Sequence, residues 1–167
     1  QMVVDHGEKL SRFDRVQLEA ALTTVFEKAR NEATPRSPFL TDLAKHCLAD
    51  PEESLRRIGK LLFPWIGSTP YGKILDGNGK IAVDTSIVAF DLKGLSQYPD
   101  LQSVMILILT NFILEQVETD RTVPKRVLLD EAWELLKSPA ASSFMEYAAR
   151  TFRKTGSGIT FITQGVE

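Results

Sequence analysis

Two adjacent carboxylates, Asp130 and Glu131, close the short apolar run Val127-Leu128-Leu129. A run of this kind reads as a buried strand. In a parallel sheet, ligands collect beyond the carboxyl ends of the strands, so both acids are expected at a binding rim. Two carboxylates there are costly unless a cation or a water uses them. On this reading Asp130 would hold Mg²⁺ and Glu131 would act as general base for an attacking water. The same pair also suits the N-terminus of a following helix, where acids are favoured. The run alone does not separate the two accounts.

A second strand end points the same way. The apolar stretch at residues 159–163 finishes in Thr163-Gln164, and if the two strands are parallel this polar pair shares a rim with Asp130. A glutamine there can orient water or sense the γ-phosphate of a nucleotide. From residue 67 onward, short apolar strands alternate with helices, the pattern of a parallel sheet with crossover helices. Strands are expected at 87–92 (IVAFDL), 127–129 and 159–163, and helices at 99–117 and 140–154. The three strands should be parallel neighbours in that order. A hairpin is expected where 74–75 and 80–84 flank Asp76-Gly77-Asn78-Gly79. The helix at 99–117 is apolar nearly all round and should be covered on more than one side.

Residues 1–66 differ in texture and read as three helices. Ser11 can cap a helix to about Arg30, with Asp14 in its first turn. Ser37-Pro38 opens a second helix, and Asp50-Pro51-Glu52-Glu53 a third that ends at Pro64. The expected fold is therefore α/β: an all-α subdomain over 1–66, then parallel strands and helices over 67–167.

Composition bounds the function classes. With 167 residues, 43% apolar and 25% charged, the chain can bury one substantial core. A formal charge of -2 argues against strong attraction to nucleic acid. Cys47, with His6 and His46, makes neither a disulfide framework nor a zinc spacing. The apolar stretch at 104–114 is shorter than the roughly 20 residues of a membrane span. Residues 1–9 lack the apolar h-region of a signal peptide, so none is expected there, and the first and last residues suggest a piece of a longer protein. Ser142, Ser143 and Ser157 lack a histidine for nucleophilic hydrolysis. Asp91 could face the site or cap a helix, and Trp133 reads as packing. Lys9, Arg12, Arg15, Arg56, Arg57 and Lys60 read as solvated helix faces.

Together the run from Val127 to Leu136 (VLLDEAWELL), the helix end from Thr151 to Gly158 (TFRKTGSG) and the strand from Ile159 to Gln164 (ITFITQ) resemble the TraC-like conjugative-transfer ATPases of type IV secretion systems. By motif the resemblance covers residues from about 85 to the end, and the helical opening matches only in architecture. It implies a partial RecA-like P-loop NTPase core using ATP and Mg²⁺, with Asp130 on the metal, Glu131 catalytic and Gln164 at the nucleotide. It also implies a homo-hexamer serving other type IV secretion components at the cytoplasmic face of a bacterial inner membrane. It leaves direct DNA binding open. Arg150 and Arg153, three residues apart and without an obvious acid partner, are candidates for an arginine finger acting on a neighbouring subunit's nucleotide. The bland account is that cations complement a helix C-terminus.

The chain departs from the family in its phosphate loop. Gly67-Ser68-Thr69-Pro70-Tyr71-Gly72-Lys73 has the glycine and lysine spacing, but Ile74 stands where Ser or Thr should reach Mg²⁺, and no strand precedes it. The genuine loop is expected upstream of Gln1, so the chain alone should hydrolyse little. Two rivals stand beside this reading: a hexameric DNA-pumping ATPase of the same class, and a non-enzymatic helical docking domain in which Asp130-Glu131 is structural.

Overall fold

The computed structural model describes residue 2 and residues 10–77, 85–119, 121–130 and 139–162. The chain divides into two compact units, Gln1–Phe90 and Asp91–Glu167. Each has its own apolar cluster, where composition alone suggests one.

In the first unit, helix α1 (Arg12–Arg30) opens on a capping box. The Ser11 hydroxyl oxygen accepts from the Asp14 N–H at 3.1 Å, and Asp14 accepts from the Ser11 N–H at 3.2 Å. Its buried residues Ala21, Val25 and Ala29 recur every four residues and form one stripe. Helix α2 (Leu40–Ala49) starts later than Ser37-Pro38 suggests. Asp42 takes over the capping, accepting the Phe39 N–H at 2.8 Å and the Arg36 guanidinium at 2.6 Å. The Arg36 hydrogen bond, with the Phe39 N–H, holds the Asp42 carboxyl below its ordinary value against the opposing effect of burial. Helix α3 (Glu53–Leu61) follows a turn in which Asp50 accepts the Glu52 N–H at 2.9 Å.

The core of this unit combines Ala21 and Val25 of α1, Leu43, Ala44 and Cys47 of α2, and Leu55 and Ile58 of α3, closed by Leu62. Gly59 lets α2 and α3 approach closely, because a Cβ there would lie 2.9 Å from Leu48 Cγ and 3.1 Å from the Ala44 carbonyl oxygen. Burial pushes the Cys47 thiol up from its ordinary value, which suits a packing group and not a reactive one.

The expected hairpin strand at 74–75 is a helical turn instead, α4 (Gly72–Leu75); 80–84 lies outside the described residues. Side-chain bonds, one set of them from Thr41 far back in the chain, decide this. The Thr69 hydroxyl oxygen accepts the Gly72 N–H at 3.0 Å, and Asp76 accepts the N–H groups of Thr41 at 3.0 Å and Gly67 at 2.7 Å, together with the Thr41 hydroxyl. These bonds give the backbone an alternative to a ladder. Trp65 and Tyr71, with ring centroids 4.9 Å apart, close the same loop.

The expected strand at 87–92 is not formed. Residues 87–90 are irregular chain with Ile87 85% exposed, and 91–92 lead into a 3₁₀ turn at Lys93–Leu95. A strand exists only through its ladder, and this segment pairs with neither strand of the described sheet. Asp91 takes the local role, accepting the Lys93 N–H at 2.9 Å.

In the second unit, helix α5 (Pro99–Thr119) buries Leu101, Val104, Ile106, Leu109 and Val117 but leaves Leu107 and Ile108 exposed. Its 21 residues make it long and apolar enough to cross a membrane by length and composition. The apolar stretch at 104–114 is only the middle of this helix. Strand β1 (Arg126–Leu129), helix α6 (Pro139–Thr151), a 3₁₀ turn (Phe152–Thr155) and strand β2 (Gly158–Phe161) complete the unit. The strands are parallel, in register Arg126↔Gly158 through Leu129↔Phe161. Val127, Leu129 and Ile159 pack on Ile106, Val117, Ala141, Phe144, Met145, Ala148 and Phe152, whereas Leu128 on the alternate face is 61% exposed. The fold is thus α/β, a parallel strand pair packed on helices in the second unit, with a helical unit preceding it in the chain.

Candidate functional site

Parallel pairing fixes where chemistry can occur. The ladder continues one bond past each strand: the Gly158 N–H donates to the Lys125 carbonyl at one end, and the Ile162 N–H to the Leu129 carbonyl at the other, both at 2.9 Å. The carboxyl ends therefore stop level, with Asp130 following Leu129 and Ile162 following Phe161. Asp130 is exposed at that rim. Glu131, Thr163 and Gln164, and Trp133 with them, lie outside the described residues.

An exposed carboxylate is a hard oxygen donor of the kind Mg²⁺ takes. Among the described residues no group of three or more His, Cys, Asp or Glu converges as a metal site.

The two arginines sit at the other end of the sheet. Helix α6 runs back from the carboxyl rim of β1 to the amino rim of β2, so its last turn and the 3₁₀ turn after it stand beside Gly158. Four strand residues separate the rims by about 13 Å. Arg150 and Arg153 are therefore not brought together with Asp130 within one copy. Arg150 also has the local partner that the sequence reading denied it: its guanidinium meets the Glu146 carboxylate at 2.6 Å, both side chains well exposed. The signal is in the sequence, because Glu146 stands four residues before Arg150. An exposed pair of this kind holds weakly and can be redirected.

Arg153 lies beyond the α-helix in the 3₁₀ turn, so the shared helical face assumed for the pair ends at Thr151. The turn closes on Gly156 at φ 67°, with its N–H donating to the Arg153 carbonyl at 3.3 Å and the Ser157 N–H to the Phe152 carbonyl at 3.0 Å. This double bond pattern around a left-handed glycine fixes the turn that carries Arg153 and Lys154.

The stretch from Gly67 to Lys73 cannot cradle phosphate as it stands. The Gly67 N–H is taken by Asp76, the Gly72 N–H by the Thr69 hydroxyl and the Lys73 N–H by the Thr69 carbonyl. A phosphate loop needs such groups pointing at its ligand. Gly72 is there for close approach, since a Cβ would fall 2.4 Å from the Ile66 carbonyl carbon. A cleft of about 730 Å³ lies elsewhere in the first unit, between α1 and Pro35, Arg36 and Ser37, and contains none of the expected site residues.

A family model described as the TraG P-loop domain matches residues 5–167. The chain belongs to that family. Among solved structures, VirB4 of Thermoanaerobacter pseudethanolicus superposes with a TM-score of 0.76 at 22% identity, over 94% of this chain and 46% of that one. At that identity the similarity speaks to the fold, and this chain spans less than half the length of that structure. No curated protein matches the chain.

Proposed function

We propose that this chain is part of an ATP-hydrolysing motor that drives type IV secretion or conjugative transfer. The carrying observation is the parallel, in-register β1–β2 pair, whose carboxyl ends lead into Asp130 and toward Gln164, in a chain of the TraG P-loop family. In this reading Asp130 ligates Mg²⁺ on ATP, Glu131 takes the proton of the attacking water, and Gln164 orients that water or reads the γ-phosphate. Arg150 or Arg153, at the opposite rim, reaches the nucleotide of a neighbouring copy. That geometry favours a ring, for which a homo-hexamer is the proposed form, working with other secretion components at the cytoplasmic face of the inner membrane. The phosphate-gripping loop comes from another part of the motor, since Gly67 to Lys73 has spent its amides internally.

The test is Glu131→Gln in the complete protein. Nucleotide affinity should stay near the parent value while turnover falls by roughly a hundredfold or more, as expected for a lost general base. A variant that hydrolyses ATP at the parent rate removes Glu131 from the mechanism.

A further inference from the structure

The loop that follows α3 in the first unit carries apolar side chains on its outside and charge of one sign. Residues 54–75 include Lys60 and Lys73 and contain no acid. Phe63, which opens a 3₁₀ turn (Phe63–Trp65), is 67% exposed, and Ile74 of α4 is 59% exposed. The two stand on one frame. The Thr69 hydroxyl donates to the Pro64 carbonyl at 2.8 Å, Gly72 abuts the Ile66 carbonyl, and the rings of Trp65 and Tyr71 pack together, so the 3₁₀ turn and α4 are held side by side. Lys60, one turn before Phe63, and Lys73, next to Ile74, are both exposed, and neither meets an acid among the described residues. The acids that bound the stretch do not counter them: Asp76 is taken up by Thr41 and Gly67, and Glu53 stands at the other end of α3, about 10 Å along the axis from Lys60.

We propose that this loop is a docking surface for an anionic lipid bilayer, with Phe63 and Ile74 entering the headgroup layer and Lys60 and Lys73 lying against the anionic headgroups. Apolar side chains beside basic ones are the pattern of an interfacial anchor. Lysine suits the place, because its stem lies along apolar surface while the ammonium stays in water. A protein partner fits less well: a stable interface buries about 800 Å² on each side, far more than two side chains supply. A bilayer needs only a few anchors and the attraction of its surface charge. With two apolar side chains and two cations the contact is weak, reversible and dependent on anionic lipid. Trp65 is buried and supports the loop from within. The setting rests on the membrane-side placement proposed above; the binding itself is read on vesicles without nucleotide, so its failure would leave the motor reading intact.

The test is co-sedimentation of the 167-residue chain with vesicles of phosphatidylcholine alone and of phosphatidylcholine with about one part in three phosphatidylglycerol. The chain should sediment with the anionic vesicles and stay in solution with the neutral ones. Each lysine near an anionic surface is worth about fivefold, so K60Q/K73Q should lower partitioning about 25-fold. F63S/I74S should lower it by on the order of tenfold or more, through the lost apolar contact. The control R12Q/R15Q removes the same charge from exposed positions of α1 and should bind as the parent does. Circular dichroism confirms that the variants fold. Failure to sediment with anionic vesicles, equal binding to neutral ones, or the same loss with R12Q/R15Q overturns the proposal. So does F63S/I74S binding as the parent does, which would mark the loop as a cationic patch for an acidic protein surface.

Discussion

Replacing Asp76 with asparagine should loosen the first unit by about 2 kcal/mol at neutral pH, a figure that follows from the bonds the carboxylate makes. Oδ1 accepts the Thr41 N–H, and Oδ2 accepts both the Gly67 N–H and the Thr41 hydroxyl. A hydrogen bond to a charged group contributes about 1.5–3 kcal/mol net. An asparagine oriented with its carbonyl in place of Oδ2 keeps two of these as neutral bonds and turns its NH₂ against the Thr41 N–H. One charged bond is lost outright and two weaken, with some relief from solvent because the group is only half-buried. Urea unfolding followed by circular dichroism should show the midpoint falling by on the order of 1–2 M.

The pH dependence sharpens this test. Burial alone would raise the Asp76 pKa, but the Thr41 hydroxyl and the N–H groups of Gly67 and Thr41 outweigh it and hold the carboxyl below its ordinary value. A group depressed in the folded state stabilises fully above its unfolded pKa of about 3.9 and loses that contribution as pH falls through the folded value. The gap between parent and variant should therefore be constant from pH 7 to about 5 and narrow below about 4. An Asn variant with the parent midpoint at pH 7, or a gap that does not narrow in acid, would refute the reasoning.

Two further outcomes are expected. Gly72→Ala places a methyl group against the Ile66 carbonyl, backbone that has no rotamer to give, so the loop should deform at a cost of about 2–3 kcal/mol, read as a lower thermal midpoint. In the complete motor, Arg153→Ala or Arg150→Ala copies should be inactive alone yet regain ATPase activity when mixed with Glu131→Gln copies; normal assembly with no recovery rejects a finger acting between subunits.

Local signals in the sequence carried well where local forces decide the structure. The Ser11–Asp14 capping box fixes the start of α1, and the apolar runs that became β1 and β2 have a 13-residue helix between them, which predisposes them to parallel pairing. Residues 87–92 have the composition of a strand, yet composition cannot supply a pairing partner. Residues 74–75 look like half a hairpin, but the deciding bonds come from Thr41, 35 positions away from Asp76. The position of Asp130 just past β1 was readable from the apolar run before it, while the Arg150–Glu146 pair was missed although its spacing is visible. Glu131 and Gln164 lie beyond the described residues.

Cys47 gives the first unit a built-in chemical clock. Its sulfur is shut inside the three-helix cluster with no measurable exposure, and no second cysteine competes with it anywhere in the chain. A thiol reagent therefore reaches it only when α1, α2 and α3 part, so the labelling rate measures how often that cluster opens. The same rate, read at Cys47 itself by peptide mapping of the complete motor at rest and while turning over, would report whether the helical unit is a passive spacer or breathes with each cycle.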